Sequence, residues 1–207
     1  MPRDQIREMR TGVKDRQQRC AAWCLAIALF FVMSGCGGSL YKVKPKIDAP
    51  VTNGKESSAG GFTVRAVPLL TDEESQELFE ANLPLAGLLP VRVEMTNESG
   101  AQILFKHVRF RLHDADGREW KMRSPKQVVA RILSSDQVYL YNPNSRKEFE
   151  DELGAHAFDL KSPLDAGRGR RGLIFFQTPK KEEVASPRKL VLTIEELPQP
   201  VEIGLTH

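Results

Sequence analysis

The chain has 207 residues, with 30 Lys and Arg against 27 Asp and Glu, for a formal net charge of +3. That surplus sits in the first twenty residues, where Arg3, Arg7, Arg10, Lys14, Arg16 and Arg19 outnumber Asp4, Glu8 and Asp15; residues 36–207 hold 24 charges of each sign and lend no support to nucleic-acid or polyanion binding. The three cysteines, Cys20, Cys24 and Cys36, all fall in the first 36 residues, so no disulfide can staple residues 37–207 and the fold must be held by its own core.

Behind the basic start comes an uncharged apolar run, Ala21 to Met33 (AAWCLAIALFFVM), of 13 residues. As a helix it would span roughly 20 Å, short of the ~30 Å hydrocarbon core of a bilayer. A charged leader, a short apolar stretch and small residues after it describe a signal peptide over residues 1–35. Met9 is an alternative start, which would leave Arg10 to Arg19 as the basic segment. The next residues, Met33-Ser34-Gly35-Cys36, resemble the lipobox of bacterial lipoproteins, with Met33 where leucine is commonest. The resemblance implies thioether attachment of diacylglycerol to Cys36, cleavage between Gly35 and Cys36, and acylation (palmitate-type chains) of the new amine. Two or three acyl chains would hold the protein on a membrane without a spanning helix. By the same resemblance Gly37, where an aspartate would signal inner-membrane retention, points to the outer membrane facing the periplasm.

Residues 36–60 then read as the lipidated cysteine and a flexible linker rich in Gly, Ser, Pro and Lys, with a reach of roughly 25–30 Å. From residue 61 to 207 the pattern turns to period two. Phe62, Val64 and Ala66 alternate with polar residues, as do Val91, Val93 and Met95, then Val108, Phe110 and Leu112, then Trp120 and Met122, while Leu190, Leu192 and Ile194 alternate with Val191, Thr193 and Glu195. Each predicts a strand with one face buried. Gly172 to Gln177 (GLIFFQ) is continuously apolar and predicts a central strand covered on both faces, with Phe175 or Phe176 buried between two sheets. Helix starts are signalled by Thr71-Asp72-Glu73-Glu74, by Ser124-Pro125-Lys126-Gln127 and by Ser145-Arg146-Lys147-Glu148. Six or more strands with interspersed short helices predict a mainly β sandwich rather than βαβ units.

Three stretches carry a further resemblance: Leu89 to Asn97, a strand ending in a turn asparagine; Phe110 to Gly117, a strand into an acidic hairpin; and Leu164 to Gly167 followed by Arg171 to Pro179. Their order over about residues 61–196 is similar to the telokin-like, immunoglobulin-type domains of bacterial lipoproteins. It implies an immunoglobulin-like β-sandwich with short inserted helices and says little about activity.

Candidate sites weigh towards structure. Asp114-Ala115-Asp116-Gly117 opens like a calcium loop, but its fifth position is Arg118 and its twelfth Pro125, which suits a tight hairpin instead. Gly167-Arg168-Gly169-Arg170-Arg171-Gly172 spells a dinucleotide fingerprint, but the glycines precede a strand rather than a helix. The expectation is a basic loop whose arginines tolerate replacement and are available to an anionic partner such as a lipid head group. His107, His113, His156 and His207 show no zinc spacing; His107 and His113, placed on one strand, would lie roughly 20 Å apart. Glu148, Glu150, Asp151 and Glu152 read as a solvated helix face, and Asn97-Glu98-Ser99 matches a glycosylation sequon. No cofactor, metal or catalytic residue is expected. The expected role is a non-enzymatic envelope module that meets the membrane through Cys36 and a protein partner through its surface. The alternatives are a ligand- or metal-binding lipoprotein, marked by a polar pocket with converging carboxylates, and an enzyme, marked by a Ser or Asp beside His107 or His156. A flat apolar patch or a free sheet edge would favour the first role.

Overall fold

The computed structural model describes residues 40–45, 51–139 and 141–206. Among the described residues there are eight strands: β1 (Lys55–Ala59), β2 (Phe62–Pro68), β3 (Leu88–Asn97), β4 (Arg109–His113), β5 (Glu119–Arg123), β6 (Arg168–Gln177), β7 (Val191–Glu195) and β8 (Val201–Gly204). All pair antiparallel, in the order β1-β2-β3-β6-β5-β4-β7-β8. The hairpin between β4 and β5 shares only two registered pairs, Leu112 with Trp120 and His113 with Glu119. The sheet folds over at that narrow join, and β1 and β8 come to lie side by side. The result is a mainly β, sandwich-like fold with a nearly closed sheet, as the strand pattern predicts.

The sheet's inner face is filled by alternate residues from both halves. Phe62, Val64, Val91, Val93, Ile174 and Phe176 from one half meet Leu112, Leu192, Ile194, Val201 and Ile203 from the other, all of them buried. A second core lies on the outer face, where Leu88, Leu173 and Phe175 are covered by the helices α1 (Asp72–Phe79), α2 (Pro125–Ser135) and α3 (Pro143–His156). The continuous apolar run of β6 has this cause. Phe176 and Phe175 point to opposite faces, and each is essentially inaccessible. Phe176 sits between the two halves of the sheet, whereas Phe175 sits beneath helices, edge-on to Phe79 with ring centroids 6.4 Å apart.

The helix starts obey their capping chemistry. Thr71 and Ser124 each make a complete capping box, with Glu74 and Gln127 returning the hydrogen bond. The third helix departs from expectation. It begins at Pro143 with Asn142 as cap, whose side chain accepts from the Asn144 amide at 2.8 Å, so Ser145 lies inside the helix rather than at its start. Asn followed by Pro at the first helical position is the stronger signal.

Two further expectations are corrected. The linker over residues 36–60 is shorter than predicted, because Lys55–Ala59 form β1 and Val51 is buried with its amide on Glu94. The Arg168–Arg171 stretch is strand rather than loop, in register with Asn97 to Glu94 of β3. On the outer face Glu56, Arg65, Glu94 and Arg171 oppose one another across β1, β2, β3 and β6. Arg65 bonds Glu56, and Arg171 Nε donates to Glu94 Oε1 at 2.7 Å. Such cross-strand pairs contribute about 0.2–1 kcal/mol each and would be mismatched by any slip of register.

Gly172 is required by a close approach. Ala157 and Phe158 run against β6 there, with the Phe158 amide on the Leu173 carbonyl at 2.8 Å, and a Cβ on Gly172 would meet Phe158 Cα at 2.4 Å. In denaturant titrations Phe175→Ala and Phe176→Ala should each cost about 3–5 kcal/mol. Gly172→Ala should destabilise by about 1–3 kcal/mol through overpacking, although it adds a single methyl group. Loss of stability in only one Phe variant would mean that one of the two cores does not exist.

Candidate functional site

The acidic hairpin after β4 is a structural device. The Asp114 side chain is 7% exposed. Its oxygens accept from the Asp116 and Arg118 amides at 3.0 Å each, from Arg118 Nε at 3.0 Å and from Trp120 Nε1 at 3.1 Å. Gly117 sits at φ 71, which the tight turn needs. Burial by itself would raise the Asp114 pKa, but the Trp120 and backbone donors and the Arg118 charge together hold it below the usual carboxylate value. A carboxylate so fully used has no lone pair aimed at a metal. Beside it lies a polar cleft of about 460 Å³ whose wall also includes Glu182, Glu183 and Arg188. Among the described residues no cluster of three or more His, Cys, Asp or Glu is arranged to hold a metal ion.

The arginines of the glycine-rich stretch are likewise engaged. Arg170 donates to three backbone carbonyls, those of Asp159 at 2.6 Å, Ser162 at 2.7 Å and Pro163 at 2.6 Å, and lies 5.1 Å over the Phe105 ring. It is a clamp on the loop before β6. Replacement of Arg170 or Arg171 therefore removes strand and loop contacts rather than loop decoration. Arg168 is exposed at the strand's start.

The histidines divide. His107 lies in the turn before β4 rather than on the strand with His113. His156, at the end of α3, is buried with Nε2 2.6 Å from the Lys44 carbonyl oxygen and its ring edge-on to Phe79. Its partner is backbone rather than a Ser or Asp. His207 and Cys36 lie outside the described residues. In the acidic cluster Glu150 and Asp151 pair with Arg146 and Lys147 at i,i+4 spacing, a solvated helix face. The sequon asparagine, Asn97, is inaccessible, and its side chain is spent on the Ala101 and Leu164 carbonyls and on Ser99.

Two features stand out that the pattern of residues did not announce. The first is an apolar groove of about 580 Å³ between the end of β5, the start of α2 and the crossing segment after α3, lined by Met122, Pro125, Phe158, Leu160 and Ile174, with Arg123 and Lys161 among its polar members. Met122 shares the period of the buried Trp120 but is 37% exposed because it opens onto this groove. The second is a strap. Residues 41–44, read from sequence as part of the linker, lie along the helices. Tyr41 is buried and stacked on Phe149 with centroids 4.8 Å apart, edge-on to Tyr141, and its hydroxyl donates to Asp136 Oδ2 at 2.6 Å. The Val43 amide reaches Glu152 at 3.5 Å, the Lys44 amide reaches the Leu78 carbonyl at 2.9 Å, and Lys44 Nζ pairs with Glu77 at 3.0 Å. Burial, aided by the Asp136 acceptor, pushes the Tyr41 phenol well above its ordinary pKa, so it stays a donor. Tyr41 alternating with Val43 was the available signal, and it was compatible with an edge strand as well.

No family model matches the sequence, and no curated protein matches it. Among solved structures, the chain is similar to the secreted protein MPT63 of Mycobacterium tuberculosis at 11% identity, covering 74% of this chain and 95% of that one, with a TM-score of 0.34. It is also similar to a conserved hypothetical protein from Bacillus anthracis at 11% identity, covering 79% and 95%, again with a TM-score of 0.34.

The Asp114 network yields an acid prediction. A carboxyl whose folded pKa is depressed contributes stability above its unfolded pKa of about 4, and that contribution is lost as pH falls through the folded value. Asp114→Ala strands the Trp120 N–H and two backbone amides and should cost about 1–3 kcal/mol at neutral pH. The gap between variant and parent in denaturant midpoint should narrow below about pH 4. A gap unchanged at acid pH would mean that the carboxylate charge plays no part.

Proposed function

We propose that the chain is a lipoprotein of the bacterial cell envelope, lipidated on Cys36, whose immunoglobulin-type domain serves as a non-enzymatic binding or assembly module. The observation that carries this is the Met33-Ser34-Gly35-Cys36 motif placed directly behind a 13-residue apolar run too short to span a bilayer. The strap is compatible with it, since Tyr41, five positions after Cys36, is buried against the helices. Gly37 favours the outer membrane. In cells fed labelled palmitate, the full chain should take up label and fractionate with membranes. Cys36→Ser should abolish labelling and leave the chain either unprocessed or soluble in the periplasm. A Cys36→Ser chain that is cut to normal size and still fractionates with membranes would sink the reading.

The apolar groove favours a second reading, a lipoprotein that binds an apolar ligand. A fluorescent fatty acid titrated into the protein tests it. Binding that falls about tenfold in Met122→Glu, as expected for a charge buried against an acyl chain, supports a ligand site; no binding to the parent removes it.

A further inference from the structure

The strap has a direction. Tyr41 lies on Phe149, Val43 on Glu152 and Lys44 on His156, so the chain runs along α3 from its first half to its C-terminal end. At its start, Tyr41 therefore lies towards the N-terminal end of α3, where α2 turns into α3, and Leu40 precedes it there. Tyr41 is fixed to both sides of that turn, to Asp136 before it and to Tyr141 after it. Between those two residues stands Tyr139, which is 83% exposed, while Leu40 at the exit point is 60% exposed. The turn itself is built firmly. Gln137 takes the left-handed conformation at φ 58, and the Val138 amide returns to the Leu133 carbonyl at 2.8 Å, the bond that closes a helix end of this kind. Val138 packs against the helical core, leaving Tyr139 outward.

We propose that this end of the domain, Leu40 with Tyr139, rests in the head-group region of the bilayer to which Cys36 is attached. The inference rests on the lipidation reading. Leu40 follows Cys36 by four positions, which at full extension span about 14 Å. A strapped domain therefore cannot stand away from the surface, and the end that must face it is the one from which the chain departs. An exposed tyrosine suits that zone, since its ring is apolar and its hydroxyl meets water and head groups. Of the charges near it, Arg146 pairs with Glu150 and Lys147 with Asp151 on α3 and Asp136 accepts from the Tyr41 hydroxyl, while exposed Lys42 beside the strap adds a cation that can reach head-group phosphate.

The full chain, expressed in bacteria grown on labelled phosphate, carries a photoreactive benzoyl-phenylalanine in place of Tyr139 or, as control, in place of Leu104. Leu104 is 48% exposed and adjoins Ile103, which belongs to the inner core and pairs with Leu164 rather than with the helices. On irradiation, a phospholipase-sensitive phospholipid adduct should form at position 139 in at least about fivefold excess over position 104, as expected for a side chain held at the interface. Equal adducts at both positions, or crosslinks from position 139 to protein alone, overturn the docking even where palmitate labelling in the same cells shows the anchor intact. Absence of palmitate label overturns the anchor, and the docking with it.

Discussion

The fold depends on the pairing of β3 with β6, ten residues in unbroken register, because this ribbon is walled on both faces. On its inner side Leu89, Val91 and Val93 oppose Phe176, Ile174 and Gly172; on its outer side Leu88, Leu173 and Phe175 carry the helices. A one-residue slip would send each apolar row to the wrong face, exchange the two cores and break the Glu94–Arg171 pair. β2 flanks this ribbon on one side and β5 on the other, and everything more distant is positioned through them.

The other edge of β6 is incomplete, and this leaves the groove open. β5 covers it only from Phe175 to Gln177, and the segment after α3 takes over at Leu173. Between the two patches this backbone edge of β6 has, among the described residues, no strand or bridge partner at Ile174, whose side chain stays buried in the inner core, and the groove opens beside it with Met122 at its mouth. Gly172 lets the crossing segment come close enough to bond the strand, and Arg170 fixes the loop that comes after it by capturing three carbonyls.

Strands with period-two alternation were legible in the sequence, as were the two complete capping boxes and the Asp-Gly hairpin, because in each case local chemistry and tertiary role agree. The misses have a common cause. Lys55–Ala59 has no apolar alternation and becomes a strand only because its backbone pairs with β2, while Val201–Gly204 offers just two apolar residues for its pattern. The glycine-rich stretch reads as loop by composition, yet the partner that straightens it, Asn97 to Glu94, lies some seventy positions earlier in the chain. The strap is the same case in a stronger form. Tyr41 owes its burial to Phe149 and Asp136, about a hundred residues away. At the candidate site, the Met33-Ser34-Gly35-Cys36 motif is legible in the sequence and lipidation is the reading proposed for it, whereas the surface beside Tyr139 has no local signal, because only the docked strap brings Tyr41 to Asp136 and Tyr141 there.

The meeting of β1 with β8 has a consequence for crowding. The outermost strands of a sheet ordinarily carry unpaired amides and carbonyls, which invite the edge of a neighbouring copy. Here the first and last strands stand against each other, and the turn at Gly60 closes on the Gln199 backbone, where even a Cβ would come within 3.1 Å. The two strands are not joined by a ladder, but their closeness leaves less room for a foreign strand at either edge. A neighbouring copy that approaches either edge meets the opposite strand of the same chain, so edge-to-edge growth of the sheet has less room than on an open sheet.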